Sequence, residues 1–285
     1  MRVPDVLTLS VAYLAEEIAL DSGGSNFDLI GSGFFIAVPS TVHQGVFHAF
    51  VTAKHLVDEH KGRQLDLVVN GYSGKPVVIP IPLDWPWFSH PTDKSADVAI
   101  TPFSMQPEVK AVSLRVKDFV AASEVGFGNK LGEGDEVFFP GLFTWAPGES
   151  RMTPIVRHGH LAMIPDGPIQ VDNSFADVYL IEAHSIGGMS GSPVYVRETV
   201  SLSAGMTGTG NMKLLGLMHG HWDIKESEMN KPSFVHDRQR GVNMGIAVVV
   251  PASKILETVN HPELVAMRER TDAEINQGGA PGPDV

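Results

Sequence analysis

Three short segments hold the residue types of acyl-transfer chemistry. Ser190 sits in Gly187-Gly188-Met189-Ser190-Gly191-Ser192-Pro193, a glycine-rich turn ahead of an apolar run. His55 follows the apolar run Val46–Thr52 in the string Phe50-Val51-Thr52-Ala53-Lys54-His55. Asp97 opens another apolar run, in Ser95-Ala96-Asp97-Val98-Ala99-Ile100. A serine hydroxyl attacks a carbonyl only when a base takes its proton in the transition state. Imidazole suits that task because it titrates near neutrality. A carboxylate on the other ring nitrogen fixes the tautomer and offsets the imidazolium charge. Glycines around the nucleophile allow the unusual backbone angles that point two N–H groups at one oxyanion.

These strings resemble the three motifs of trypsin-like (chymotrypsin-fold) serine peptidases. Thr52-Ala53-Lys54-His55 is similar to T-A-x-H, Asp97-Val98-Ala99 to D-[IV]-A, and Gly188-Met189-Ser190-Gly191-Ser192-Pro193 to G-x-S-G-[GS]-P. The order His, Asp, Ser and the gaps between them also fit, and the likeness spans about residues 30–265. HtrA-like and V8-like bacterial members are the nearer type. The resemblance implies Ser190 as nucleophile, His55 as general base and Asp97 as the acid that orients it. The N–H groups of Gly188 and Ser190 would form the oxyanion hole. Asp93 competes with Asp97, and Ser185 and Ser192 compete less well with Ser190. Met189 stands where digestive and clotting members carry the aspartate that captures a freed N-terminus, so that activation switch is not expected.

By the same resemblance, the substrate pocket draws on His184, Ser185, His219, Gly220, His221, Asn243 and Gly245. No Asp or Glu falls at its base, which argues against a preference for Arg or Lys. His184, Ser185 and His219 would favour an acidic or polar side chain. Met218 occupies the place of the pocket histidine of glutamyl endopeptidases, one residue from His219, and a one-residue slip on a strand reverses the face.

The elements that must position these residues read as β structure. The chain has 285 residues, 43% of them hydrophobic, with 29 Gly and 20 Pro. Short apolar runs between turn residues suggest strands. The first half offers Val6–Leu14 (or a short helix over Ala12–Leu20), Gly31–Val38, Val46–Thr52, Leu65–Val69, Val77–Pro82 and Val98–Pro102, with a helical turn at Ala53–Glu59. The second offers Asp135–Pro140, Ile155–Ala162, Ala176–Glu182, Gly191–Val196, Leu214–His219 and Gly245–Val250. The expected fold is all-β: two six-stranded antiparallel β-barrels with a C-terminal helix. Residues 1–115 would form the barrel carrying His55 and Asp97, and 116–250 the barrel carrying Ser190. Residues 251–270 would form the helix, capped by Ser253 and broken or kinked at Pro262. Residues 271–285 would be a disordered tail.

Composition narrows the rest. A net charge of −12 without a basic stripe argues against nucleic acid as a partner. No run reaches the roughly 18 apolar residues that cross a bilayer. The absence of cysteine excludes disulfides and thiolate chemistry. With no apolar leader, it points to the cytoplasm, and no PDZ-like region follows. His158-x-His160 and His219-x-His221 are the only strings that suggest a metal, since residues i and i+2 of a strand share a face. Trp85 and Trp87 suggest packing at a barrel edge. The expectation is a serine endopeptidase that acts on protein or peptide through an acyl-enzyme, with no cofactor and no metal. The alternatives are a catalytically silent binding module on the same fold and a His-ligated metal hydrolase. An α/β-hydrolase is disfavoured, because the serine lies in G-M-S-G-S and the acid precedes it.

Overall fold

A computed structural model describes residues 3–19, 25–126, 128–148, 150–171, 174–184, 187–199, 210–225 and 241–276. The chain opens with a short helix α1 (Asp5–Leu9), then β1 (Val11–Ala19), β2 (Ser25–Pro39) and β3 (Val46–Thr52). A second short helix α2 (Lys54–Glu59) precedes β4 (Leu65–Asn70), β5 (Pro76–Ile81), β6 (Phe88–Ser89), β7 (Ala99–Pro102) and β8 (Leu114–Arg115). The second half holds β9 (Glu136–Gly141), β10 (Ile155–Met163), β11 (Ile169–Val171), β12 (Ser174–Ala176) and β13 (Tyr179–Glu182). It continues with β14 (Pro193–Arg197), β15 (Met212–Lys225) and β16 (Gly241–Pro251). Helices α3 (Ala252–Val259) and α4 (Pro262–Asn276) follow.

The second half closes as expected into a six-stranded barrel, ordered β10-β13-β16-β15-β14-β9. Its interior is apolar: Val137, Phe139, Leu161, Ile181, Val194, Val196, Leu215, Met218 and Val249 form one buried cluster. Strand β10 alternates between outside and inside, and Gly159 lies inward. A Cβ on Gly159 would come within 2.1 Å of the Glu182 carbonyl on the neighbouring strand. That spacing is where barrel curvature demands glycine.

The first half holds more strands than the six expected. It is an eight-stranded sheet, ordered β5-β4-β1-β2-β3-β7-β6, with β8 pairing in parallel with β2. Long strands account for the difference. β2 runs for 15 residues and pairs with β1 at one end and β3 at the other. The N-terminus is also corrected: a helix comes first, and the strand starts at Val11 rather than Val6. Ala12 and Leu14 face one core, while Val11, Tyr13 and Ala15 face another, so the strand is apolar on both sides and shows no helical stripe.

The main core of the first half does not stop at its sheet. It continues through Phe34, Ile36, Phe50, Val51 and Ile100 into Leu214, Leu217 and Val250 of the barrel and Ile255 and Val259 of α3. The C-terminal helix is split at Pro262, because proline suits a first turn and cannot donate inside a helix. The boundary expected at residue 270 moves to Asn276. Thr271 and Asp272 are buried, and Asp272 accepts a hydrogen bond from Ser40 Oγ (2.7 Å) and lies 2.9 Å from His43. Those contacts tie the last helix to the β2–β3 turn. The rest of the expected tail, 277–285, lies outside the described residues.

Candidate active site

His55 is the second residue of α2, and its ring points back at the segment ahead of β7. The helix starts directly after β3, so the strand fixes where the helix begins. His55 Nδ1 lies 2.7 Å from Asp97 Oδ2, and the His55 backbone N–H donates to Asp97 Oδ1 at 2.8 Å. Val98 and Ile100 on either side of Ala99 are fully buried, which anchors the acid at the strand's start. Asp93 is not a rival here. Its Oδ2 takes Lys254 Nζ at 2.7 Å, and its Oδ1 takes both the N–H and the hydroxyl of Ser95.

Asp97 has a second imidazole. His219 Nδ1 lies 2.6 Å from the same Oδ2. A carboxylate can only accept, so both rings donate to it from Nδ1. Burial pushes the Asp97 carboxyl up. Hydrogen bonds from His219 and His55, and their charges, outweigh it and hold the group far below the usual carboxylate range.

His219, expected as a pocket wall, owes this contact to the strand that carries it. β15 and β16 pair at Met218 with Val249 and at Gly220 with Val248, so His219 is the extra residue of a β-bulge. A bulge re-aims one side chain. Met218 turns into the barrel core while His219 turns to Asp97. The two histidine rings stand edge to face, 5.4 Å apart between centroids.

Ser190 reaches the same place from the other half. Its Oγ donates to the His219 carbonyl at 3.0 Å. The turn that carries it has positive φ at Gly188 (91°) and at Gly191 (82°), angles that glycine adopts without strain. Close approach explains Gly191 as well. A Cβ there would sit 1.9 Å from the Ser32 carbonyl and 2.6 Å from Thr52 Oγ1. Met189 is fully buried in the barrel core. Ser192, the weaker rival nucleophile, is also buried.

Ser32 is the residue that sequence reasoning missed. It is fully buried at the contact between the halves. Its Oγ donates to the Gly188 carbonyl (2.7 Å) and accepts from Leu142 N–H (2.9 Å). Its own N–H donates to the Ser190 carbonyl (2.9 Å). Thr52 Oγ1 in turn donates to the Ser32 carbonyl at 2.8 Å. The only signal in the sequence is the pair of glycines flanking it, Gly31-Ser32-Gly33. Gly31 lets β2 pass close to Leu56 and the nucleophile turn, where a Cβ would meet Leu56 Cδ1 at 2.4 Å and Ser190 O at 3.3 Å, and Gly33 lets it pass close to Phe50 and the Val51 carbonyl.

Of the other expected pocket residues, His184 is exposed and lies against Gly245, with Cε1 3.7 Å from where a Cβ would project. The N–H of Ala183 donates to the Gly245 carbonyl at 2.7 Å. Gly220 and His221 are half-buried on β15. Ser185 and the Asn243 side chain lie outside what the structure describes. Trp85 and Trp87 pack as expected. Trp87 meets Phe50 edge to face at 6.4 Å, and Trp85 donates to the Pro102 carbonyl at 3.0 Å.

His55, Asp97 and His219 are the group among the described residues whose ligand atoms lie within 4.8 Å of one another. The separations of 2.6 and 2.7 Å are those of hydrogen bonds onto one oxygen. His158 and His160 point outward on β10.

Comparison with known proteins gives the fold a context. No family model matches the chain. No curated protein matches it either. Among solved structures, it is similar to the MamO protease domain from Magnetospirillum magneticum, at 17% identity and a TM-score of 0.52, over 88% of this chain and 96% of that one. Deg5 aligns at 16% identity and a TM-score of 0.47 over 92% of both chains. The HtrA-type protease AlgW, solved with a decapeptide, aligns at 13% identity and a TM-score of 0.49, over 96% of this chain and 66% of that one. The chain therefore has the fold of the MamO protease domain.

Proposed function

We propose that this chain is a serine endopeptidase that hydrolyses protein or peptide substrates with Ser190, His55 and Asp97. One observation carries the reading: the Ser190 hydroxyl and the His55–Asp97 pair, which come from opposite halves, meet at a single residue, His219. The fold supports it, because the similar solved structure is a protease domain.

The steps follow from the donors present. Rotation about χ1 takes Ser190 Oγ from the His219 carbonyl to His55 Nε2. Oγ attacks the scissile carbonyl carbon as its proton passes to Nε2. The N–H groups of Gly188 and Ser190 receive the oxyanion. His55 then protonates the leaving amine, and the acyl-enzyme forms. Water, deprotonated by His55, attacks the ester and regenerates Ser190. Asp97 stays ionised throughout, in keeping with its depressed pKa. His184, beside Gly245, is the pocket residue that would meet a polar or acidic substrate side chain.

A second reading rests on the same serine. In this structure Ser190 bonds to the His219 carbonyl, as it would in a silent binding module on this fold. A fluorophosphonate probe separates the two. The peptidase reading requires that wild-type protein be labelled and Ser190→Ala not. Unlabelled wild type overturns it for the isolated chain. Peptide-library cleavage then reports the side-chain preference.

A further inference from the structure

We infer that His219 is a positioning residue that holds Asp97 through its side chain and Ser190 through its carbonyl, so that two imidazoles share one orienting carboxylate. The inference rests on the peptidase reading and deepens it. Three distances define it: 2.6 Å from His219 Nδ1 to Asp97 Oδ2, 2.7 Å from His55 Nδ1 to the same oxygen, and 3.0 Å from Ser190 Oγ to the His219 carbonyl. The bulge between Met218 and Gly220 makes both contacts possible at once. On a regular strand the residue would follow the alternation set by Met218, with no extra residue to turn aside.

The arrangement has a chemical consequence. With His219 neutral, its Nδ1–H is a hydrogen-bond donor to Asp97, and it stops the carboxylate from rotating away from His55. With His219 protonated, a full positive charge lies beside Asp97 and cancels the field that makes His55 basic. Protonation of either imidazole is therefore felt by the other across one carboxylate. Among the contacts described, the charged and titratable groups are His55 from α2 and Asp97 from the segment ahead of β7, with the Ser190 hydroxyl opposite.

Two variants test this. His219→Asn keeps an N–H donor near the Nδ1 position but cannot titrate. His219→Ala removes the donor. The measurement is the second-order rate of fluorophosphonate labelling from pH 5 to 9, with thermal melts to establish folding. At alkaline pH the expected order is wild type near His219→Asn, with His219→Ala slower by about tenfold or more, the loss of a hydrogen bond to a charged group. On the acidic side, log rate against pH should fall with a slope above one in wild type and of one in His219→Asn. Low-field proton NMR supplies a readout independent of labelling: two imidazole Nδ1–H resonances in wild type, and one in either variant. Identical pH profiles and resonance counts in all three proteins overturn the inference, and a misfolded His219→Ala leaves the decision to His219→Asn. Wild type that shows both resonances but no labelling overturns the peptidase reading instead.

Discussion

The two halves of the molecule build their share of the site in different ways. The first is an open, long-stranded sheet that contributes side chains: the His55 imidazole and the Asp97 carboxylate, each at the end of a buried strand. The second is a closed barrel whose main chain sets its side chains: the glycine turn that presents the Ser190 hydroxyl, and the bulge that presents the His219 imidazole and carbonyl. Side-chain pairs tolerate small shifts of their elements, because rotamers adjust. Backbone geometry does not, and the barrel, with no free edge, holds it. Ser32 joins the two regimes, since a buried hydroxyl of the open sheet fixes a carbonyl of the barrel's turn.

The largest expected break in this comparison comes from the first half. Asp97→Asn keeps the volume but removes the charge and disturbs the tautomer of two rings, and kcat should fall by about four orders of magnitude. A loss below tenfold would mean that Asp97 orients nothing. Next comes the contact between halves. Gly191→Ala forces a non-glycine residue to φ 82° and drives a Cβ to 1.9 Å from the Ser32 carbonyl. It should cost about 3 kcal/mol or more in urea unfolding and abolish labelling. Unchanged stability would show that the halves do not approach that closely.

Ser32→Ala sharpens the comparison with a smaller change. It leaves the Gly188 carbonyl and the Leu142 N–H without this partner in a buried place. Stability should fall by about 1–3 kcal/mol. Labelling should slow while the His55–Asp97 resonance persists. Loss of that resonance would mean that Ser32 supports the first half rather than the turn.

The smallest effect lies away from the chemistry. Burial raises the Asp93 carboxyl, but hydrogen bonds from Lys254 and Ser95 outweigh it and bring it down to about 2. A group depressed in the folded state stabilises above its unfolded pKa, here about 4, and loses that contribution as pH falls toward its folded value. Asp93→Asn should cost about 1 kcal/mol or less at pH 7, given partial solvent screening. The gap to wild type in urea midpoint should close between about pH 4 and pH 2, and a gap that widens in that window would contradict the pairing.

Much of this was legible in the residues. The triad candidates stood out because each lies at the end of an apolar run, where a strand delivers a polar side chain to a surface. The six barrel strands were legible from short apolar runs between turns. The extra pairing of the first sheet was not, because strand length and partners depend on contacts far apart in the chain. The start of β1 differs from the sequence reading because Val11–Ala15 is apolar on both faces and carries no period that tells its register.

His219 marks the boundary between the two kinds of information. The sequence by itself determined which residue types can do acyl transfer, their order, and the glycines that let a serine turn exist. Only the tertiary structure decided that β15 bulges at His219 and brings its ring to Asp97. A bulge is set by the register of two strands paired across the barrel, and register is a property of the pair that neither strand encodes alone.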